Sequence, residues 1–332
     1  MQAQSIEITK FGSAQDLEMK NKGLKKELAD DEVLVEVNYS GVNFADIVMR
    51  LGMYKDAPPK PFTPGYEVSG VVKNIGKDVT RFTVGESVMA GTRFGGYTSF
   101  VILPEWQVLK VNADITLEEA ASTPVNFLTA YIALHEFGRI RAGDKVLIDC
   151  ATGGVGVFAL QMIKDAGATA FGLTSSPSKK EFILEYGAKA YTHEEFEKSG
   201  EKGFDFILNS RGGASLKSQY EILARSGKLV CIGLQEAIHN GKSSLFAKIK
   251  AVIQTPWYPM LKLVMQSKSV SGFNALSYFD DDVWMKKHIK MIEDNTFKPH
   301  IGGVFKAADV ASAHEFLEQR KAKGKVILKW DH

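Results

Sequence analysis

The chain has 332 residues, of which 45% are hydrophobic and 24% charged, and its 41 basic residues against 39 acidic leave a net charge of +2. That length is generous for one core and comfortable for two domains, and the charge balance gives no electrostatic case for nucleic acid or an anionic membrane. No run approaches the ~18 uninterrupted apolar residues of a spanning helix, the N-terminus MQAQSIEITKFG has no signal-peptide apolar core, and two cysteines in apolar runs, Cys150 and Cys231, imply no disulfide framework, so a reducing cytoplasm fits.

The first 110 or so residues are β-rich. EVLVEVNYSGV alternates apolar and polar residues as a half-buried strand does. EVSGVVKNIG and YTSFVILP follow as short strands broken by Gly, Pro and Asp. Thr123-Pro124 then opens VNFLTAYIALHEFG. Thr suits an N-cap, Pro suits the first helical position, and Gly138 follows the last turn, which predicts a helix linking two domains. Beyond it strands and helices alternate. KVLIDCA (145–151), TAFGLTS (169–175), a segment around AKAYT, FDFILNS (204–210) and KLVCIGL (228–234) read as strands. VGVFALQMIKDAG, PSKKEFILEYGA and SLKSQYEILARSG read as the helices between them. This rhythm predicts a parallel sheet with right-handed crossovers, hence an α/β protein.

Ala151-Thr152-Gly153-Gly154-Val155-Gly156 follows one buried strand and opens a helix. That is the setting of a dinucleotide fingerprint, although Ala151 departs from the strict first glycine. Gly153 would let the backbone approach a pyrophosphate, and Gly156 would let the helix pack close to the strand. The helix N-terminus adds N–H groups and partial positive charge. A glycine-rich structural turn is the alternative. An NAD-selective site places an acid about twenty residues on. Here Gly172-Leu-Thr-Ser-Ser-Pro-Ser-Lys-Lys180 holds no carboxylate, and hydroxyls at Thr174, Ser175 and Ser176 precede Lys179 and Lys180. That suits a 2′-phosphate and hence NADPH; the alternative is a helix N-cap with solvated lysines.

GVNFADIVMRLGMYKDAPPKPFTPGYEVSGVV, GGYTSFVILP, PVNFLTAYIAL, KVLIDCATGGVG, GKLVCIGL and the closing GKVIL together resemble the medium-chain dehydrogenase/reductase superfamily, and within it the quinone oxidoreductase branch that lacks zinc. TPWYPMLKLVMQSKSVSGFN looks most like the vesicle amine transport protein homologues of that branch. The resemblance implies a GroES-like β-rich catalytic domain from residues 1–122 and 276–332, and a Rossmann doubly wound parallel-sheet domain over 123–275 that binds NADPH. It also implies an active site in the family's cleft and a homodimer paired through Rossmann edge strands, for which VSGFNAL (270–276) is the candidate edge. The zinc-dependent relatives carry a Cys three residues before the Asp of the first motif and a His after the Gly of the second. Asn43 and Tyr66 stand there, poor zinc ligands beside thiolate and imidazole, and two cysteines cannot build the family's four-cysteine lobe. No metal is expected.

The chemistry then rests on hydride transfer to an activated acceptor such as a quinone or an enone, whose carbonyl oxygen gains negative charge and needs donors. The resemblance places Tyr54 and Asn43 as those donors, with Asp46 bracing their loop. Tyr54 could instead be a surface-turn residue, and Asn43 a helix cap. The resemblance places Asn126 and Thr129 near the nicotinamide, and Phe273, Asn274 and Lys325 in segments closing over the cofactor; Gly233 ends a strand where cofactors pass. Each of these could be structural. Trp257-Tyr258 could line an apolar substrate site or cover the Rossmann edge, and the basic amphipathic LFAKIKAVIQ (245–254) reads as a solvated helix face or a membrane or partner contact. The expected activity is that of a cytoplasmic, zinc-independent, NADPH-dependent reductase of quinones or related activated carbonyl compounds. The alternatives are reduction of an enone or enoyl-thioester C=C bond, or NADPH-linked binding of a lipid or partner with little turnover.

Overall fold

A computed structural model describes residues 2–24, 27–233, 235, 254–279 and 281–332. The chain divides into two compact units, Met1–Leu128 with Ala275–His332, and Thr129–Asn274. The strands in chain order are β1 (Gln2–Ile8), β2 (Leu17–Gly23), β3 (Glu32–Val42), β4 (Glu67–Ile75), β5 (Ser87–Gly91), β6 (Phe100–Pro104), β7 (Val108–Lys110), β8 (Lys145–Ile148), β9 (Thr169–Thr174), β10 (Lys189–Thr192), β11 (Phe204–Asn209), β12 (Leu223–Cys231), β13 (Ser269–Gly272), β14 (Ile301–Lys306) and β15 (Lys325–Lys329).

Alternation builds the first unit. Along β3, Val33, Val35 and Val37 are fully buried while Leu34 and Glu36 are only half-buried, so one face of the strand supplies core. The sheet runs β14-β15-β3-β4-β5-β7, with β6 also on β3, and β1 pairs with β2 apart from it. Its neighbours are antiparallel except β14 with β15. Val68, Val72, Val88, Val108, Val326 and Leu328 fill the core with the β3 valines, and the helix Val310–Glu318 adds Val310 and Ala313.

The second unit is built from near-continuous apolar strands, as a sheet covered on both faces requires. Its order is β10-β9-β8-β11-β12-β13, parallel throughout. This is the doubly wound arrangement in which strand order reverses beside the first strand, so that a crevice opens at the C-terminal ends of β8 and β11. Leu147, Phe171, Leu173, Phe204, Ile207 and Leu229 form its core.

Three local features differ from the expectation. The linking helix is α-helical over Pro124–Tyr131 and then winds more widely over Ile132–Gly138. Its left-handed terminal residue is Arg139 (φ 51°) and not Gly138, whose carbonyl accepts from Lys228 Nζ at 2.7 Å. The helix expected over SLKSQYEILARSG stops at Glu221, because Leu223 pairs with Phe204 and buries itself as the first residue of β12. LFAKIKAVIQ, its last residue apart, lies outside the described residues. Among the described residues no helix is long and apolar enough to cross a membrane.

Candidate active site

The glycine turn lies at the C-terminal end of β8. The helix Gly154–Asp165 starts from Gly153, which occupies the N-cap with no side-chain acceptor, so the first-turn N–H groups are capped by no side-chain oxygen of their own cap residue. A methyl group built on Gly153 would meet only Cys150 O, at 3.5 Å, so the backbone there is open to a ligand. One on Gly156 would lie 2.5 Å from both Ala151 O and Cys150 O; only glycine lets the helix approach the strand so closely. Thr152 is buried, while Gly154 and Val155 are half-buried. This backbone fits a dinucleotide pyrophosphate.

Beside it, β9 ends at Thr174. Ser175 is exposed, the Ser176 hydroxyl bonds that of Ser178 at 2.8 Å, and Lys179 is buried within the single turn Pro177–Lys179. Lys180 pairs with Glu195 at 2.9 Å. Gly233 follows β12, past the crevice. Phe273 stacks on Phe137 (centroids 5.1 Å apart, 17° between planes), and Asn274 is exposed. Trp257 is exposed, while Tyr258 packs on Tyr220, 4.8 Å between centroids, at the edge of the unit's core.

In the other unit, the helix Phe44–Arg50 begins with Asn43 at its N-cap position. Asp46 Oδ2 accepts from the Asn43 backbone N–H at 2.8 Å, the reciprocal half of a capping box. The Asn43 carboxamide makes no cap hydrogen bond. It is turned into the sheet, where Nδ2 donates to Glu67 Oε1 at 3.1 Å and Oδ1 accepts from Lys325 Nζ at 2.6 Å. Lys325 and Glu67 are also ion-paired, and both are buried. Tyr54 is half-buried and packs on an aromatic cluster; its ring lies 6.5 Å from that of Tyr66, which lies 5.7 Å from Phe94. The Tyr66 hydroxyl donates to Met49 Sδ at 3.5 Å, and burial, with Asp46 and the Tyr54 hydroxyl next, holds its phenol well above the ordinary range. Asn43, Asp46, Tyr54 and Lys325 are thus gathered in one unit, and Thr152–Gly156, Ser175, Ser176 and Lys179 at adjacent strand ends of the other. Asn126, whose Nδ2 donates to Ser122 O at 2.8 Å, and Thr129 are both buried on the linking helix.

Glu67, Tyr97, His314 and Arg50 escape a reading of the sequence. Tyr97 donates to Asp46 Oδ2 at 3.0 Å and bonds His314 Nε2 at 3.1 Å. While Asp46 is ionised, Tyr97 gives it its one proton and accepts from His314, whose proton then lies on Nε2. Arg50 is 1% exposed, pairs with Glu318 and donates to Gly12 O at 2.8 Å. Burial pushes Asp46 up to about 7, against the opposing pull of the Asn43 N–H, Lys325 and Tyr97. Burial, helped by Arg50, holds His314 down at about 3.

Those shifts have opposite signs in stability. A carboxyl raised in the folded state favours folding at low pH and loses that contribution as pH rises to about 7. An imidazole lowered in the folded state contributes above its ordinary value and loses this as pH falls toward about 3. Asp46→Asn removes only the first. The melting temperature of the variant minus that of the wild type is expected to climb between pH 4 and 7 and level off above; a difference that shrinks over that range contradicts the assignment.

Residues 29–113 match the alcohol dehydrogenase GroES-like domain and residues 181–328 the zinc-binding dehydrogenase domain. The synaptic vesicle membrane protein VAT-1 homolog of Danio rerio is 33% identical over 338 residues, 98% of this chain and 69% of the relative. Human quinone oxidoreductase is 26% identical, with 98% of this chain and 97% of that protein covered. The crystal structure of Escherichia coli quinone oxidoreductase complexed with NADPH superposes with a TM-score of 0.82 at 24% identity, covering 98% of this chain and 99% of that one. The chain therefore belongs to the medium-chain dehydrogenase/reductase superfamily, in the branch that holds the VAT-1 homologues and the quinone oxidoreductases. Its fold is a GroES-like β-rich domain joined to a Rossmann-type parallel-sheet domain. Among the described residues no three His, Cys, Asp or Glu side chains are grouped to hold a metal ion.

Proposed function

We propose that the protein is a cytoplasmic, zinc-independent, NADPH-dependent oxidoreductase that reduces quinones or related activated carbonyl compounds. The observation that carries this is the glycine turn at the switch point of the parallel sheet, next to a strand end with hydroxyls, Lys179 and no carboxylate. Thr152–Gly156 would hold the pyrophosphate, and Ser175, Ser176 and Lys179 the 2′-phosphate; Asn126, Thr129, Gly233, Phe273 and Asn274 would line the rest of the cofactor. Bound NADPH would supply a hydride. The protein's own part is to receive the charge that develops on the acceptor oxygen, for which Asn43 and Tyr54 are the donors and Asp46 the brace of their loop. The NADPH complex of the Escherichia coli relative supports the choice of cofactor.

A charge-assisted hydrogen bond contributes ~1.5–3 kcal/mol, or roughly 10- to 150-fold in affinity. Wild-type protein titrated with both cofactors is expected to prefer NADPH, and Ser176→Ala with Lys179→Ala to shrink that preference by about this factor. Equal affinity of the wild type for NADH would overturn the assignment.

The Tyr54–Tyr66 pair favours a second reading, reduction of an enone or enoyl thioester, because that reaction needs a proton donor. A third, binding of a lipid or partner, draws on the exposed Trp257, Met260, Leu261, Val264 and Met265. We assign that apolar surface and the sheet-edge strand β13 to a homodimer, since an open sheet edge is otherwise an aggregation hazard. A monomer in light scattering at micromolar concentration would remove this assignment.

A further inference from the structure

We propose that the buried Lys325–Glu67 ion pair is a positioning device for the Asn43 carboxamide, and that Lys325 acts through Asn43 and not on the cofactor. The inference rests on the reading of Asn43 as a donor to the acceptor oxygen. An asparagine amide is nearly symmetric in shape, and only its partners decide which end is oxygen. Here they decide it without ambiguity. An ammonium can only donate, and Lys325 Nζ sits 2.6 Å from Oδ1; a carboxylate can only accept, and Glu67 Oε1 sits 3.1 Å from Nδ2. The two charges also bond each other, closing a three-membered ring of contacts. One Nδ2–H is spent on Glu67, so the second is the donor the amide retains, and its direction is set.

The pair is itself held. Glu67 Oε2 accepts from the Val125 backbone N–H at 2.9 Å, so both carboxylate oxygens are engaged. Room for it comes from Gly41, where a methyl group would lie 2.6 Å from Glu67 Cγ and Oε1. Lys325 opens β15, its N–H bonded to His300 O at 2.7 Å, and its side chain is 4% exposed against 0% for Glu67. A buried ion pair adds little net stability beside an apolar one of the same volume. A contribution to the geometry of a polar group therefore accounts for it better than stability does.

The test uses the full-length protein, with NADPH and 1,2-naphthoquinone as probes. Lys325→Met alone strands a buried carboxylate, so Glu67→Gln/Lys325→Met, which is neutral and close in volume, is made beside it as the variant that folds. At saturating NADPH the neutral pair is expected to lower kcat roughly 10- to 100-fold, the scale of a misplaced reacting group, with NADPH Kd changed by less than about threefold. Asn43→Ala is expected to lower kcat by a similar factor, and combining it with the neutral pair to cost no more than about twofold further, since groups that act as one unit are not additive. In cofactor-free protein the Asn43 carboxamide protons, identified by their loss in Asn43→Ala, are expected to exchange with solvent at least about tenfold faster in the pair variant. Full kcat in the pair variant, additive losses, or unchanged exchange would overturn the inference while leaving Asn43 a donor. A tenfold weaker NADPH Kd with kcat preserved would return Lys325 to the cofactor. Full turnover in Asn43→Ala would remove the inference together with the reading of Asn43 on which it rests.

Discussion

Tyr54→Phe is expected to lower turnover of an enone by about 10²–10⁴, the usual contribution of a positioned general acid. A phenol is protonated at neutral pH, so Tyr54 can donate while charge builds on the acceptor oxygen. Asn43 can donate but has no proton to lose. Behind Tyr54 stands Tyr66, buried and held above the ordinary phenol range, a hydroxyl that stays a donor. NADPH affinity should change little, because the residue is assigned to the substrate side. If Tyr54 only orients the substrate, the loss should be smaller and appear mainly in KM. A quinone should suffer less than an enone, since a reduced quinone can take its proton from water. Full activity of the variant on every accepted substrate would return Tyr54 to the surface-turn reading and leave Asn43 as the remaining donor.

Gly156→Ala should act on the other unit and on binding. In an exposed helix, alanine for glycine gains about 1 kcal/mol. At this position the added methyl meets two backbone carbonyl oxygens at 2.5 Å, and neither can swing aside as a side-chain end would. The helix must retreat from β8, at a cost of about 1–3 kcal/mol for overpacking. Overpacking therefore outweighs propensity, and the variant should melt lower. The retreat also carries the first-turn N–H groups away from the pyrophosphate position, so NADPH Kd should rise roughly tenfold or more. A variant that melts higher and binds NADPH as tightly as the wild type would show that this turn is not a phosphate cradle.

The sequence made the sheets legible because their signals are local. Alternation over Glu32–Val42 and apolar runs such as KVLI and FDFILN need no knowledge of neighbours. The glycine turn was legible too, since the strand before it and the helix after it are adjacent in the chain. What escaped depends on pairs far apart in sequence. Lys325 meets Asn43 across 282 positions and Glu67 across 258. In the sequence GKVIL offers a lysine before a strand, which the family resemblance drew to the cofactor and not to Asn43. Glu67 gave one faint signal, a carboxylate directly ahead of the apolar VSGVV. His314 gave none: in VASAHEFLE a histidine reads as an ordinary helix residue, yet it is fully buried against Tyr97. The end of the helix at Glu221 was missed for a related reason. Ile222-Leu223-Ala224 is a good helix former, and only the pairing of Leu223 with Phe204 makes it strand.

The most direct test of the account is the rate of NADPH oxidation by chelator-dialysed protein of measured metal content, in the presence of quinones, 2-alkenals and enoyl thioesters, repeated with NADH. Turnover of a quinone is expected with less than about a tenth of a zinc per chain, with a kcat/KM for NADPH roughly tenfold or more above that for NADH. Binding of NADPH without oxidation by any of these acceptors, or turnover that vanishes on dialysis and returns with zinc, would contradict it.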